Sequence, residues 1–171
     1  MLFLLILASV LFFITLGVMV YISDSFFGGL DFSSSGDEIQ EVIKIVNDRK
    51  LSHGRFYDLG SARGNFAVKV ARVFPQLRVW GIDDNGYRTA IARVRSAFLK
   101  NIAFVKEDIF STDVSDADVV YLYLPQELMP KLQVKLQNEL KHGAIVITNK
   151  VSFFGWQPNI KLSSLFIYQM A

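Results

Sequence analysis

The residues best placed to do chemistry are two glycines and the carboxylates that follow them. In "YDLGSARGNF", residues 57–66, Gly60 and Gly64 mark the passage from a strand into a helix. Glycine there permits positive φ and close approach of backbone to a ligand, and the helix N-terminus offers free N–H groups. Asp83 in "GIDDN" follows about 20 residues later, at the tip of the next strand, where a carboxylate can accept both hydroxyl hydrogens of a ribose. Asp84 beside it points to the other side of an extended chain. Glu107 and Asp108 in "VKEDIF" close a third strand, in position to accept a hydrogen bond from an adenine amino group. Plainer readings compete: a purely conformational turn for the glycines, and helix capping or a solvated loop for the acids.

The pattern excludes two phosphate binders. A dinucleotide fingerprint needs a third glycine where Asn65 stands, and no Gly-Lys-Ser/Thr follows to make a P-loop. The set Gly60, Gly64 and Asp83 resembles instead the GxGxG and acidic-loop motifs of class I, S-adenosylmethionine-dependent methyltransferases, whose ligand carries an adenosine and an amino acid but no phosphates. "FYDLGSARGN", "GIDDN", "VVYLYLPQELMPKLQVKLQNEL", "GAIVITNKV" and "FFGWQP" narrow this further. Over roughly residues 35–170 their order and spacing resemble the seven-strand lysine N-methyltransferases of the ATP synthase c-subunit and adenine nucleotide translocase, with their prokaryotic counterparts.

That resemblance implies S-adenosylmethionine as cofactor, with Asp58, Gly60, Ser61 and Gly64 of the turn and Asp83 holding it and Asp108 near adenine. It also implies a protein substrate, with a membrane protein as one candidate, and no nucleic acid. The chain departs from the family at Ala62 and Arg63, where a glycine and an acid are usual, and at "DFSSSG", which replaces a Pro-Thr-Pro-like stretch. Alanine adds one methyl, harmless to cofactor if φ stays negative. Arg63 puts a positive charge beside a sulfonium. A pseudoenzyme that keeps the fold as a membrane-tethered binding or assembly module is therefore one alternative reading, and a small-molecule methyltransferase another.

Methyl transfer to an amine is an in-line displacement, so alignment and exclusion of water are the protein's main tasks. The lysine nucleophile must be neutral, against a reference pKa of about 10.4, which calls for an apolar pocket or a proton acceptor. Tyr121, Tyr123, Leu124 and Pro125 stand at the tip of the fourth strand, where such a pocket would sit; Tyr121 and Tyr123 share a face. Trp156, with Phe153 or Phe154, can form an aromatic wall for a methylammonium or sulfonium cation, against core packing as the alternative. Tyr123, Pro125 and Trp156 are the expected catalytic residues. His53 and His142 read as surface histidines, and no metal site is expected.

Alternating elements must position these groups. Ile39, Val42, Ile43 and Val46 have helical spacing, with Ser35 and Glu38 as a capping box. "RFYDLG", "RVWGID", "IAFVKED", "ADVVYLYLP" and "AIVITNKV" read as strands, and "NFAVKVARVF", ended by Pro75, and "YRTAIARVRSAFL" as helices. A helix begins near Pro130 and ends at Gly143, and "SLFIYQM" adds a last strand at an edge. The result is an α/β, Rossmann-like, doubly wound, mainly parallel sheet with right-handed crossovers.

With 171 residues there is room for one such domain. Ahead of it, Leu2 to Ile22 carries no charge, and about 20 apolar residues cross a bilayer. Residues 1–22 are thus expected to be a transmembrane anchor, 23–34 a linker and 35–171 the methyltransferase-like domain. Charge leaves the orientation open, since the first basic residue afterwards is Lys44. An intracellular cofactor puts the domain on the cytoplasmic side. Net charge is +2, but Arg63, Lys69, Arg72, Arg78, Arg88, Arg93, Arg95 and Lys100 face only Asp83 and Asp84 in their stretch. A solvated helix surface accounts for this, with anionic lipid or an acidic partner as the alternative.

Overall fold

The computed structural model describes residues 2–27, 34 and 36–171; within the first helix, side chains are described for residues 6–16, 18 and 19. The chain divides into two compact units, Met1–Asp31 and Phe32–Ala171.

The first unit contains helix α1, Leu2–Phe27. Ser9 Oγ donates to the Ile6 carbonyl and Thr15 Oγ1 to those of Leu11 and Phe12, so both hydroxyls are satisfied within the helix. The helix runs through the first residues of the expected linker. Among the described residues no helix is long and apolar enough to cross a membrane.

The second unit is built on a seven-stranded sheet. Its elements are α2 (Gly36–Asp48), β1 (Arg55–Leu59), α3 (Asn65–Val73), β2 (Arg78–Asp83), α4 (Gly86–Arg95), β3 (Ile102–Lys106), β4 (Val119–Leu122), α5 (Met129–Glu139), β5 (Ile145–Asn149), β6 (Ile160–Leu162) and β7 (Leu165–Gln169). Strand order is β3-β2-β1-β4-β5-β7-β6. The first five strands are parallel, and β7 runs antiparallel to both β5 and β6. The order reverses between β1 and β4, the position where open α/β sheets bind ligands at the carboxyl ends of their strands.

Both faces of the sheet are covered, which is why β4 and β5 are buried at every position; β4 reads as an apolar run, and β5 is apolar until Thr148 and Asn149 at its end. On one face Ile39, Val42 and Val46 of α2 and Phe66, Val70 and Ala71 of α3 pack against Phe56, Val119 and Ile147. Leu132 and Leu136 of α5 cover the other face, against Leu59, Val120 and Val146.

Several local expectations are corrected. The strand over "SLFIYQM" is interior, because the three-residue β6 pairs with its outer side and takes the edge. α5 stops at Glu139, and Gly143 instead occupies a positive-φ turn before β5. Ser35 lies outside the described residues, and Glu38 Oε1 accepts from Ser164 Oγ at 3.0 Å. α4 is capped by Asn85, whose side chain accepts from the Tyr87 and Arg88 N–H groups.

Candidate active site

Four polar side chains line one face of the sheet at the carboxyl ends of adjacent strands: Asp83 on β2, Asp58 on β1, Tyr121 on β4 and Asn149 on β5. Strand alternation puts them there, since Val79, Phe56, Val119 and Ile147, an even number of residues away, all pack in the α2/α3 core. The register sets Asp58 directly opposite Tyr121. All four are buried.

The glycine turn wraps around Asp83. The Gly60 and Ser61 N–H groups both donate to the Ile82 carbonyl, at 2.8 and 2.9 Å, which draws the turn against the end of β2. Ala62 N–H then donates to Asp83 Oδ2 and Asn85 N–H to Oδ1, each at 2.9 Å. Arg88 Nη1 stands 4.0 Å from Oδ2. Each carboxylate oxygen thus keeps one lone pair for a further donor.

The two glycines have internal reasons as well as conformational ones. Gly60 and Gly64 lie at φ +83° and +73°. A Cβ on Gly60 would overlap Leu124 Cδ2, and one on Gly64 would overlap the Phe104 ring and come within 2.9 Å of Ala92 Cβ. Ser61 Oγ points beneath the turn toward Gly81, buried and without a hydrogen-bond partner among the described residues.

Ala62 takes φ +47°, so the condition under which its methyl would be harmless to cofactor, a negative φ, is not met. Its own N–H bond to Asp83 fixes this conformation, which costs an alanine about 1 kcal/mol or a little more. Ala62→Gly relieves that strain but loosens the unfolded chain by about 0.4–1 kcal/mol. The two effects nearly cancel, so urea denaturation should move by less than about 0.5 kcal/mol for Ala62→Gly. Ala62→Val should lose about 2 kcal/mol, because a β-branched residue is poorly tolerated at positive φ.

Asp58 has the most unusual electrostatics. Burial, then the nearby Asp83 carboxylate, pushes its pKa from 3.8 to about 8, against the Ala67 backbone N–H, which favours the ionised form. That N–H belongs to the first turn of α3, whose N-cap Gly64 has no side chain to serve it. Burial likewise raises Tyr121, in spite of its bonds to Ser34 and Asn149. Its hydroxyl lies 2.6 Å from Ser34 Oγ and accepts from Asn149 Nδ2 at 3.1 Å, and its ring stacks on Phe66 at 3.9 Å. Asn149 Oδ1 is buried with no partner among the described residues.

The remaining expected residues are more scattered. Asp108 is exposed, and its Oδ1 accepts from Phe110 N–H in an Asx turn, while Glu107 Oε2 accepts from Thr112 Oγ1. Tyr123 packs on the same face as Tyr121, with Lys150 Nζ 5.0 Å from its ring centre. Pro125 is exposed ahead of a single 3-10 turn. Trp156 belongs to the opposite face, stacked on Phe153 at 5.1 Å and tilted against Tyr168 at 4.7 Å. Tyr123 and Trp156 therefore pack on different cores, and Phe154, 90% exposed, takes no part in a wall. Sequence reasoning missed Ser34 and Asn149; the one signal for Asn149 is an amide, after Thr148, closing the apolar run "AIVI".

Comparison with known proteins bears on the family and the fold. Residues 58–160 match the family described as the ANTKMT methyltransferase domain. A protein-lysine N-methyltransferase of Saccharolobus islandicus is 30% identical over 121 residues, 69% of this chain and 72% of the relative. The ATP synthase c-subunit lysine N-methyltransferase of Rattus norvegicus is 26% identical, with 71% of this chain and 56% of the relative aligned. The mouse adenine nucleotide translocase lysine N-methyltransferase is 25% identical, over 73% and 54%. The chain thus spans little more than half the length of these mammalian relatives. In fold it resembles an RNA methyltransferase from Salinibacter ruber, solved with S-adenosyl-L-homocysteine, at a TM-score of 0.74, 22% identity, and 81% and 93% coverage.

Proposed function

The chain belongs to the ANTKMT methyltransferase domain family, and from that membership we propose that it transfers a methyl group from S-adenosylmethionine to lysine side chains of a protein. The observation that carries this reading is the glycine turn folded around Asp83 at the sheet's switch point, with Asp58 beside it. Each Asp83 oxygen retains a lone pair for a ribose hydroxyl, and a buried acid poised near neutrality at Asp58 suits a ligand that arrives with cationic groups. The orphaned Asn149 Oδ1 on the same face supplies a further acceptor. Asp83, Asp58 and Asn149 fit the cofactor, while Ala62 at positive φ and the neighbouring Arg63 are the departures in this site.

When bound, S-adenosylmethionine supplies an electrophilic methyl on a sulfonium. The protein's residues do the rest. Gly60 to Gly64 and Asp83 orient the nucleoside end, and Asp108 reaches for the base with the carboxylate oxygen its Asx turn leaves over. Tyr123, Leu124 and Pro125 wall the acceptor amine from water at the end of β4, where desolvation favours the neutral nucleophile. Trp156 closes the pocket from the other core. The acceptor class follows the relatives, whose names specify protein lysines.

Residues 2–22 act as a membrane anchor in this reading, which rests on the sequence, uncharged up to Asp24, and draws nothing from the described part of α1. The cofactor's location then requires the domain to face the cytoplasm. Mass spectrometry of membrane proteins from cells with and without the chain should reveal lysines whose methylation depends on it. Methyl-lysine unchanged between the two would overturn the protein-lysine reading. A C-terminal tag should resist external protease in intact cells, and its digestion would overturn the orientation.

One finding favours a second reading, a pseudoenzyme acting as a membrane-tethered binding module: Ala62 holds positive φ with Arg63 beside it, where the motif resemblance implies a glycine and an acid. The cofactor titration that closes the Discussion separates the two.

A further inference from the structure

The face of the domain covered by α3 and α4 carries an exposed apolar and basic surface that the methyl-transfer site does not use. Val94, in the last turn of α4, is 77% exposed, and Phe98, in the turn that follows the helix, is 99% exposed. That turn is fixed to α3: Asn101 Nδ2 donates to the carbonyls of Ala71, Phe74 and Leu77. The last turn of α3, alongside, exposes Arg72 and Val73, and Lys69 lies one turn earlier. Lys100 is exposed at the end of the α4 turn.

Charge along the chain that forms this surface is one-sided, although α2, packed beside α3 on the same sheet face, exposes Asp37 and Asp48. Over residues 60–101 eight basic side chains meet two acidic ones, and Asp83 is buried within the glycine turn. Among the described residues Lys69, Arg72 and Lys100 take part in no ion pair. Arg95 is held to Asn65 and the Arg63 carbonyl, and Arg93 to the Phe104 carbonyl, so their charges stay on this face.

We propose that this surface docks on an anionic lipid bilayer, Phe98 and Val94 entering the interface while Lys69, Arg72 and Lys100 meet the head groups. A lipid interface receives projecting side chains without needing a groove of matching shape, and positive charge beside exposed apolar residues is the signature of such contact. The bilayer is within reach if α1 is an anchor, so the inference rests on that part of the proposed function. Phe98 precedes the amino end of β3, whereas the reactive groups lie at the carboxyl ends of the strands, about 15–20 Å away along a five-residue strand. Docking this way keeps the mouth of the site clear of the lipid and suits acceptor lysines that stand off the membrane.

The chain contains no cysteine, so one can be introduced and labelled cleanly. Ala97→Cys places an environment-sensitive nitrobenzoxadiazole dye beside an intact Phe98, and Val134→Cys places it on exposed α5 across the sheet. Full-length protein is reconstituted with vesicles of phosphatidylcholine, with or without phosphatidylserine. The Ala97 label should brighten severalfold and shift to the blue only with phosphatidylserine. High salt should reverse the response, since screening shortens to about 3 Å at 1 M. Phe98→Glu, or Lys69→Glu with Arg72→Glu and Lys100→Glu, should abolish it, and the Val134 label should stay constant. A response equal in both vesicle types, equal at both label sites, or unaltered by the substitutions would overturn the docking surface. So would brightening with an acidic polypeptide but not with lipid. Co-flotation with neutral vesicles reports the anchor separately: failure to float there removes the anchor, while the phosphatidylserine dependence of the label still decides the surface.

Discussion

Asp83→Ala should weaken S-adenosylmethionine binding by about 100-fold or more and destabilise the unliganded domain by about 2–4 kcal/mol. The two losses share one origin. Removing the carboxylate orphans the Ala62 and Asn85 N–H groups it now accepts, and each buried unsatisfied donor costs about 1–3 kcal/mol. Nothing then holds Ala62 at positive φ, and the turn relaxes away from the end of β2. A ligand meeting that turn loses both the acceptor for its ribose and the preformed backbone around it. Asp83→Asn is the sharper variant, because its amide keeps one acceptor but turns an NH2 toward one of the two backbone donors. It should fold better than Asp83→Ala and still bind at least tenfold more weakly than wild type, a loss of about 1.4 kcal/mol. Calorimetric titration with parallel urea denaturation would measure both. Wild-type affinity in either variant would show that the ribose site lies elsewhere.

The second large effect concerns Asp58, whose pKa is raised from 3.8 to about 8 in the folded, unliganded protein. A group raised on folding holds its proton in the native state after the unfolded chain has released it. Its contribution to stability is therefore complete below pH 4 and is lost progressively as pH climbs to about 8. The melting temperature of the unliganded domain should fall over that window, and Asp58→Asn should flatten the fall. Binding of a cationic ligand favours the carboxylate, so it should expel the proton. Affinity for S-adenosylmethionine should then rise with pH, by at most about tenfold per unit, and level off above about 8. Asp58→Asn should fold normally, bind about 10- to 100-fold more weakly at pH 8.5 and lose the slope. Titrations in buffers of different ionisation enthalpy would count the protons released. A pH-independent affinity in wild type would mean that no cationic part of the ligand comes near Asp58.

Much of this site could be read from sequence because its parts are local. The strand, glycine turn and helix of residues 55–73 are contiguous, and Asp83 closes the very next strand, so hydrophobic pattern and glycine placement were enough to bring them together. Three things were not local. Asn149 and Ser34 meet at Tyr121 from 28 and 87 residues away, across a register that only the folded sheet defines. The sign of φ at Ala62 follows from its bond to Asp83, a tertiary contact that overrides what alanine prefers. Trp156 lies in a loop flanked by Gly155 and Pro158, and loop residues carry no periodicity to reveal which face they join. Even the glycines were explained only in part, since packing of Leu124 and Phe104 demands them as firmly as the turn does. The interior place of β7 was hidden because β6 has three residues, too few for alternation to register.

All of these effects presuppose that the turn around Asp83 and the carboxylate of Asp58 form one binding site for S-adenosylmethionine. Isothermal titration of the full-length protein with that ligand at pH 8 addresses this directly. The geometry predicts saturable binding of one equivalent, with loss of affinity in Asp83→Ala. No detectable heat or displacement at millimolar ligand would contradict it and leave the fold as a tethered scaffold.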